Sequence, residues 1–94
     1  MNSKIIVFED KRIRRAWFNV EWYYSLVDVV EGLTNSVNKN DYLKKIRKRD
    51  LELSSYIGTN CPHVEMLTTT GKKRITLSGN TKDIFRLIQS IPSS

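Results

Sequence analysis

The chain is poor in the residues that most site chemistries need. Among its 94 residues there is one cysteine, Cys61, and one histidine, His63. A lone cysteine cannot close an internal disulfide, which fits a reducing compartment, and one Cys with one His is too few ligands for a structural zinc site. No metal or other cofactor is expected. Apolar runs stop at three or four residues, as in Ile5-Ile6-Val7-Phe8. That is far short of a membrane span, and no charged-then-apolar leader precedes a small-residue cleavage site. The expectation is a cytoplasmic protein with no membrane partner. No carboxylate pair, Cys/His pair or metal cluster stands at a working spacing. His63 has no acid at a local spacing to orient it, and Cys61 has no neighbouring cation to lower its pKa. Gly71-Lys72 lacks the rest of a phosphate-loop pattern. An enzyme is therefore not expected.

What the chain has instead is positive charge, +6 formally with a pI near 9.7. Thirteen of its sixteen Lys and Arg residues fall in three runs: Lys11-Arg12-Ile13-Arg14-Arg15, residues 39–49, and Lys72-Lys73-Arg74. Each run lies between apolar, patterned segments, as a charged face on a folded domain would. Polyanions are the favoured partners, because neutralising phosphates releases condensed counterions. At this length the chain makes one small domain with one core.

Three strands are expected at the start, over residues 4–9, 11–17 and 21–24, where β-branched and aromatic residues dominate. Asp10-Lys11 and Asn19 would form the turns between them. Neither turn contains a glycine, so turn chemistry alone does not fix the register. Ser25 followed by Asp28 resembles a capping box. Leu26, Val29, Val30 and Leu33 then recur at helical spacing, with Gly32 and Thr34-Asn35-Ser36 ending that helix. Asn38 caps a second helix over residues 39–50, with Asp41 in its first turn. Residues 54–63 read as a polar connection. Residues 64–70 and 74–78 flank Gly71-Lys72-Lys73 as a hairpin with a basic tip. A last helix, capped by Asn80 or Thr81, carries Ile84, Leu87, Ile88 and Ile91 on its buried stripe, with Phe85 at the edge and Pro92 after the last turn. Val29, Val30 and Ile88 are expected to be buried.

Projected at 100° per residue, the second helix places Tyr42, Leu43, Ile46 and Leu53 on one side and Lys44 and Lys48 opposite, flanked by Lys45 and Arg47. Arg49 falls at the edge of the apolar stripe, where its stem would cover core surface. A solvated face is the bland alternative for such a charge run. Trp17, Phe18, Trp22, Tyr23 and Tyr24 could stack unpaired bases, although aromatic clusters in strands more often form core.

The order Ile5-Ile6-Val7-Phe8-Glu9, Ile13-Arg14, Trp22-Tyr23-Tyr24-Ser25-Leu26-Val27-Asp28-Val29-Val30-Glu31-Gly32-Leu33 and Leu87-Ile88-Gln89-Ser90-Ile91-Pro92-Ser93 resembles the Bro-N domain. That domain is the N-terminal module of baculovirus Bro proteins and prophage antirepressor-like proteins. The resemblance spans nearly the whole chain, and its most specific part is Val27-Asp28-Val29-Val30 behind the aromatic strand. It implies an α+β fold and DNA binding in transcription regulation, with only Arg14 carried over by position. Family members usually continue past the last helix, so the resemblance also implies a domain excised from a longer protein, or a short variant.

The expected architecture is α+β, a small, largely antiparallel sheet packed with three helices. The expected function is DNA binding. Lys39, Lys44, Lys45, Arg47 and Lys48 would supply one helix face, and Arg12, Arg14, Arg15, Lys72, Lys73 and Arg74 would extend the electrostatic track. The alternative is a protein-interaction module whose basic surface docks an acidic repressor or regulator.

Overall fold

Strand-forming residues alternate with helix caps along the chain, and the computed structural model follows that punctuation. It describes residues 3–8, 11–68 and 70–92, with the backbone alone for 3–8 and 11. The first three strands are β1 (Ser3–Phe8), β2 (Lys11–Phe18) and β3 (Glu21–Ser25). The turn expected at Asp10 lies outside the described residues. The next turn is made without glycine: Phe18 pairs with Glu21, and the two residues between, Asn19 and Val20, both take left-handed φ values of 50° and 63°. That geometry matches the right-handed twist of the flanking strands, and Asn adopts it readily whereas a β-branched residue resists it.

At Ser25 the third strand becomes helix α1 (Leu26–Thr34), with the Ser25 hydroxyl accepting from the Asp28 amide. The helix runs on through Gly32 and ends where Asn35 adopts the left-handed conformation, φ 54°. Helix α2 (Lys39–Arg49) is capped by Asn38, with Asp41 in its first turn and Arg47, Lys48 and Arg49 in its last, each sign matching the helix dipole.

Here the structure departs from the sequence reading. Of residues 54–63, expected as a polar connection, 54–60 lie in a helix, α3 (Leu51–Asn60), and His63 already belongs to the next strand. Asp50 both ends α2 and caps α3, its carboxylate accepting from the Leu53 amide at 3.0 Å. Leu53 therefore belongs to α3, not to the stripe of α2. Ser54, Ser55, Gly58 and Thr59 are weak helix formers, and Leu53 and Ile57, one turn apart, are the buried residues that hold the helix down. Strands β4 (His63–Leu67) and β5 (Lys73–Gly79) form the expected hairpin. Helix α4 (Thr81–Ser90) starts at a full capping box between Asn80 and Asp83.

The fold is α+β. Among the described residues, five strands form one antiparallel sheet in the order β1-β2-β3-β5-β4, with four helices in place of the three expected. The joint between the two halves of the sheet is short, Tyr24 with Gly79 and Ser25 with Ser78. The sheet curls there, bringing β4 back over β2 and β1. Two apolar clusters result. Ile13 joins Leu26, Val30, Leu43, Ile46, Leu53, Ile57 and Leu87 in the helix-packed core. Ala16, three residues further along β2 and so on its other face, packs with Val64, Met66 and Phe18 inside the curl.

Val29 and Val30 are buried as expected, whereas Ile88 is 39 % exposed and Phe85 62 %. Helix α4 lies with Leu87 inward and only part of its stripe covered. Arg49 is exposed and does not cover the core. Of the five aromatics, Tyr23 is buried and Phe18 packs against the inner cluster, while Trp17 remains the most open at 41 % exposed.

Candidate functional site

The first turn of α1 contains an acid in an apolar run, and it is among the most deeply buried side chains of the chain. Asp28 is 1 % exposed. It accepts from the Arg14 backbone amide at 3.0 Å, from Arg14 Nε at 2.8 Å and Nη2 at 3.2 Å, and from Lys39 Nζ at 2.6 Å. Burial on its own would raise the Asp28 pKa. The hydrogen bonds from Arg14 and Lys39 outweigh it and hold the carboxylate below its usual range. β2, α1 and α2 are thereby joined through one charge. Arg14 also reaches the Ser25 hydroxyl at 3.3 Å, so the group that caps α1 belongs to the same network.

Arg14 and Lys39 also line a cleft of about 740 Å³ whose other lining residues come mostly from α2, the start of α3 and β5. Six cations line it, Arg14, Lys39, Lys44, Arg47, Lys48 and Arg74, and none of the lining residues is acidic. Its apolar lining comes from Val27, Leu43, Leu51, Ile75 and Leu77. Lys44 and Lys48 sit one turn apart on the exposed side of α2, with Arg47 between them donating to the Ser54 hydroxyl at 3.3 Å. Arg74 approaches from the hairpin. Among the described residues, Lys44, Arg47, Lys48 and Arg74 make no ion pair. Their charges are left for a ligand or for water.

The other expected contact residues lie outside the cleft. Lys45 pairs with Asp41 at 3.1 Å along the helix, and Lys73 lies 3.9 Å from Glu65 across the hairpin. The Arg15 guanidinium stacks over Trp22, 4.0 Å from the ring centroid, and Trp22 meets Trp17 edge-on at 5.4 Å. Arg12 and Lys72 are exposed. The three basic runs thus do not form one continuous track. The helix run and the last residue of the hairpin run converge, with Arg14 contributing from β2.

Asp28, expected only as a capping residue, is also the partner of two of the cations that line the cleft. Its signal was visible: an acid flanked by Leu26, Val27, Val29 and Val30 must be buried, and a buried carboxylate requires cationic or N–H partners. Leu51 and Ile75 had no comparable signal, since single exposed aliphatics are ordinary surface. Cys61 is buried and its thiol is pushed up to about 12 by that burial and then by the nearby Asp83 charge, which keeps it in the thiol form near neutral pH. Among the described residues no group of three or more His, Cys, Asp or Glu could hold a metal, and no helix is long and apolar enough to cross a membrane.

Comparison of the chain with protein-family models, curated proteins and solved structures returns no match.

Proposed function

We propose that this domain is a nucleic-acid-binding module, not an enzyme, and that Lys44, Arg47, Lys48 and Arg74 meet backbone phosphates along the rim of the cleft. The observation that carries the reading is the convergence of four cations without ion pairs from two separate elements, with no acid between them. A merely solvated face would be interleaved with carboxylates, as Lys45 is with Asp41 on the same helix. The resemblance to the Bro-N domain points the same way, toward DNA and a cytoplasmic, antirepressor-like role in transcription regulation.

The test is a salt titration of DNA binding with the parent and a Lys44→Ala, Arg47→Ala, Lys48→Ala triple variant. All three lie off the buried stripe of α2, so folding should survive. Each lost phosphate contact removes about 0.9 from the slope of log K against log salt on duplex DNA, so the triple variant should lose roughly two to three units. Affinity should fall at every sequence tested. A folded variant with unchanged affinity and slope would remove the cleft from the reading and leave Arg12 and the Lys72-Lys73 tip as contacts. Failure of the parent to bind any DNA would sink it.

A further inference from the structure

Phosphate contacts account for the rim of the cleft but not for its apolar lining. Leu51 and Ile75 are 74 % and 66 % exposed, and both line the same cavity, which continues inward to Val27, Leu43 and Leu77. A duplex presents charged ridges and has little to place against an aliphatic recess. Proteins that seat unpaired bases do so chiefly on aromatic rings. None of the residues lining this cleft is aromatic, and the exposed Trp17 is not among them. Aliphatic side chains projecting from a helix at i, i+3, i+4 and i+7 are what such a groove accommodates. The cationic rim then selects the sign of the residues between them.

We propose that the cleft docks an acidic amphipathic segment of a partner protein, its aliphatic side chains against Leu51 and Ile75 and its carboxylates facing Lys44, Lys48 and Arg74. This goes beyond nucleic-acid binding and does not depend on it. Because both ligands use the same cations, the acidic segment and a polyanion exclude one another.

The experiment uses a fluorescein-labelled helical peptide of about fifteen residues, with leucine at i, i+3, i+4 and i+7 and glutamate between, and a control with every leucine replaced by serine. Binding is read by anisotropy. The leucine peptide should bind the parent at least about tenfold more tightly than the control, a comparison that needs no variant. A Leu51→Ser, Ile75→Thr double variant, checked by thermal melting, should weaken the leucine peptide about tenfold while duplex and single-stranded DNA stay within about twofold. Equal binding of the two peptides, or none, overturns the proposal. A tenfold loss confined to single-stranded DNA also overturns it and makes the cleft a seat for unpaired bases. In neither case is phosphate binding by the rim disproved, since that is read from the salt slope.

Discussion

Replacing Asp28 by Asn removes the charge on which three elements converge. The parent carboxylate takes three donors from Arg14 and one from Lys39, inside a site where it is 1 % exposed. Removing one partner of a buried pair typically costs about 3–5 kcal/mol, because the remaining charge is left without compensation. Two features reduce that here. Asn keeps an oxygen that can still accept from Arg14, and the Lys39 side chain, 29 % exposed, can turn toward water. The expected loss is about 2–3 kcal/mol, a large share of the roughly 5–14 kcal/mol that a domain of this length holds. The melting temperature should drop by about 10–20 °C.

The same group gives a pH signature. Its folded pKa lies below the unfolded value of about 3.9, so its stabilisation is fully present above that value and is lost as pH falls through the depressed folded pKa. Urea denaturation followed by tryptophan fluorescence should therefore show a gap between parent and Asp28→Asn that is constant near neutrality and narrows below about pH 4. A variant within about 0.5 kcal/mol of the parent at pH 7, or a gap indifferent to acid, would refute the assigned role of the ion network.

A methyl group at Gly79 would lie 2.7 Å from Asp83 Cβ and 3.3 Å from Leu26 Cδ2. Gly79→Ala should therefore destabilise by about 1–3 kcal/mol in the same urea assay, and an unchanged midpoint would show that the contact between β5 and α4 is looser than described. Val20 holds a left-handed φ of 63° while 82 % exposed, so it incurs strain without gaining burial. Val20→Gly should raise stability by about 1 kcal/mol, and a lower melting temperature would contradict the turn geometry. With its thiol pushed up to about 12, Cys61 should resist a disulfide reagent at pH 8 in the native protein and react promptly in urea; rapid native labelling would place it outside the core.

The elements most legible in the sequence were those in which capping and periodicity agree. Ser25, Asn38 and Asn80 all cap the helices that follow them, and the aromatic strand passes into α1 where expected. Helix α3 was hidden because its local preferences oppose its conformation. Five of its ten residues are Ser, Gly, Thr or Asn, so its formation depends on tertiary burial of Leu53 and Ile57 rather than on propensity. Ile88 shows the converse: a periodic stripe marks which residues can be covered, and the curl of the sheet decides how much of it is.

The site was half legible for a related reason. Charge runs identify cations one segment at a time, but a cleft needs a concavity, and the concavity comes from Asp50. Had α2 continued to Leu53, as an unbroken stripe suggests, its basic face would have remained convex, with Lys44 and Lys48 pointing into water. Instead the backbone at Asp50 turns extended, φ −114° and ψ 91°, and the same carboxylate caps α3 while accepting from the Ser90 hydroxyl of α4 at 2.6 Å. That hydrogen bond, followed by the one from the Leu53 amide, holds Asp50 below the ordinary carboxylate range. The turn brings Ser54 to Arg47 and places Leu51 in a cleft that Arg74 and Ile75 of β5 also line. One helix-capping residue thus sets α3 at an angle to the basic face of α2, and the proposed docking of an anionic ligand in the cleft rests on that break as much as on the cations themselves.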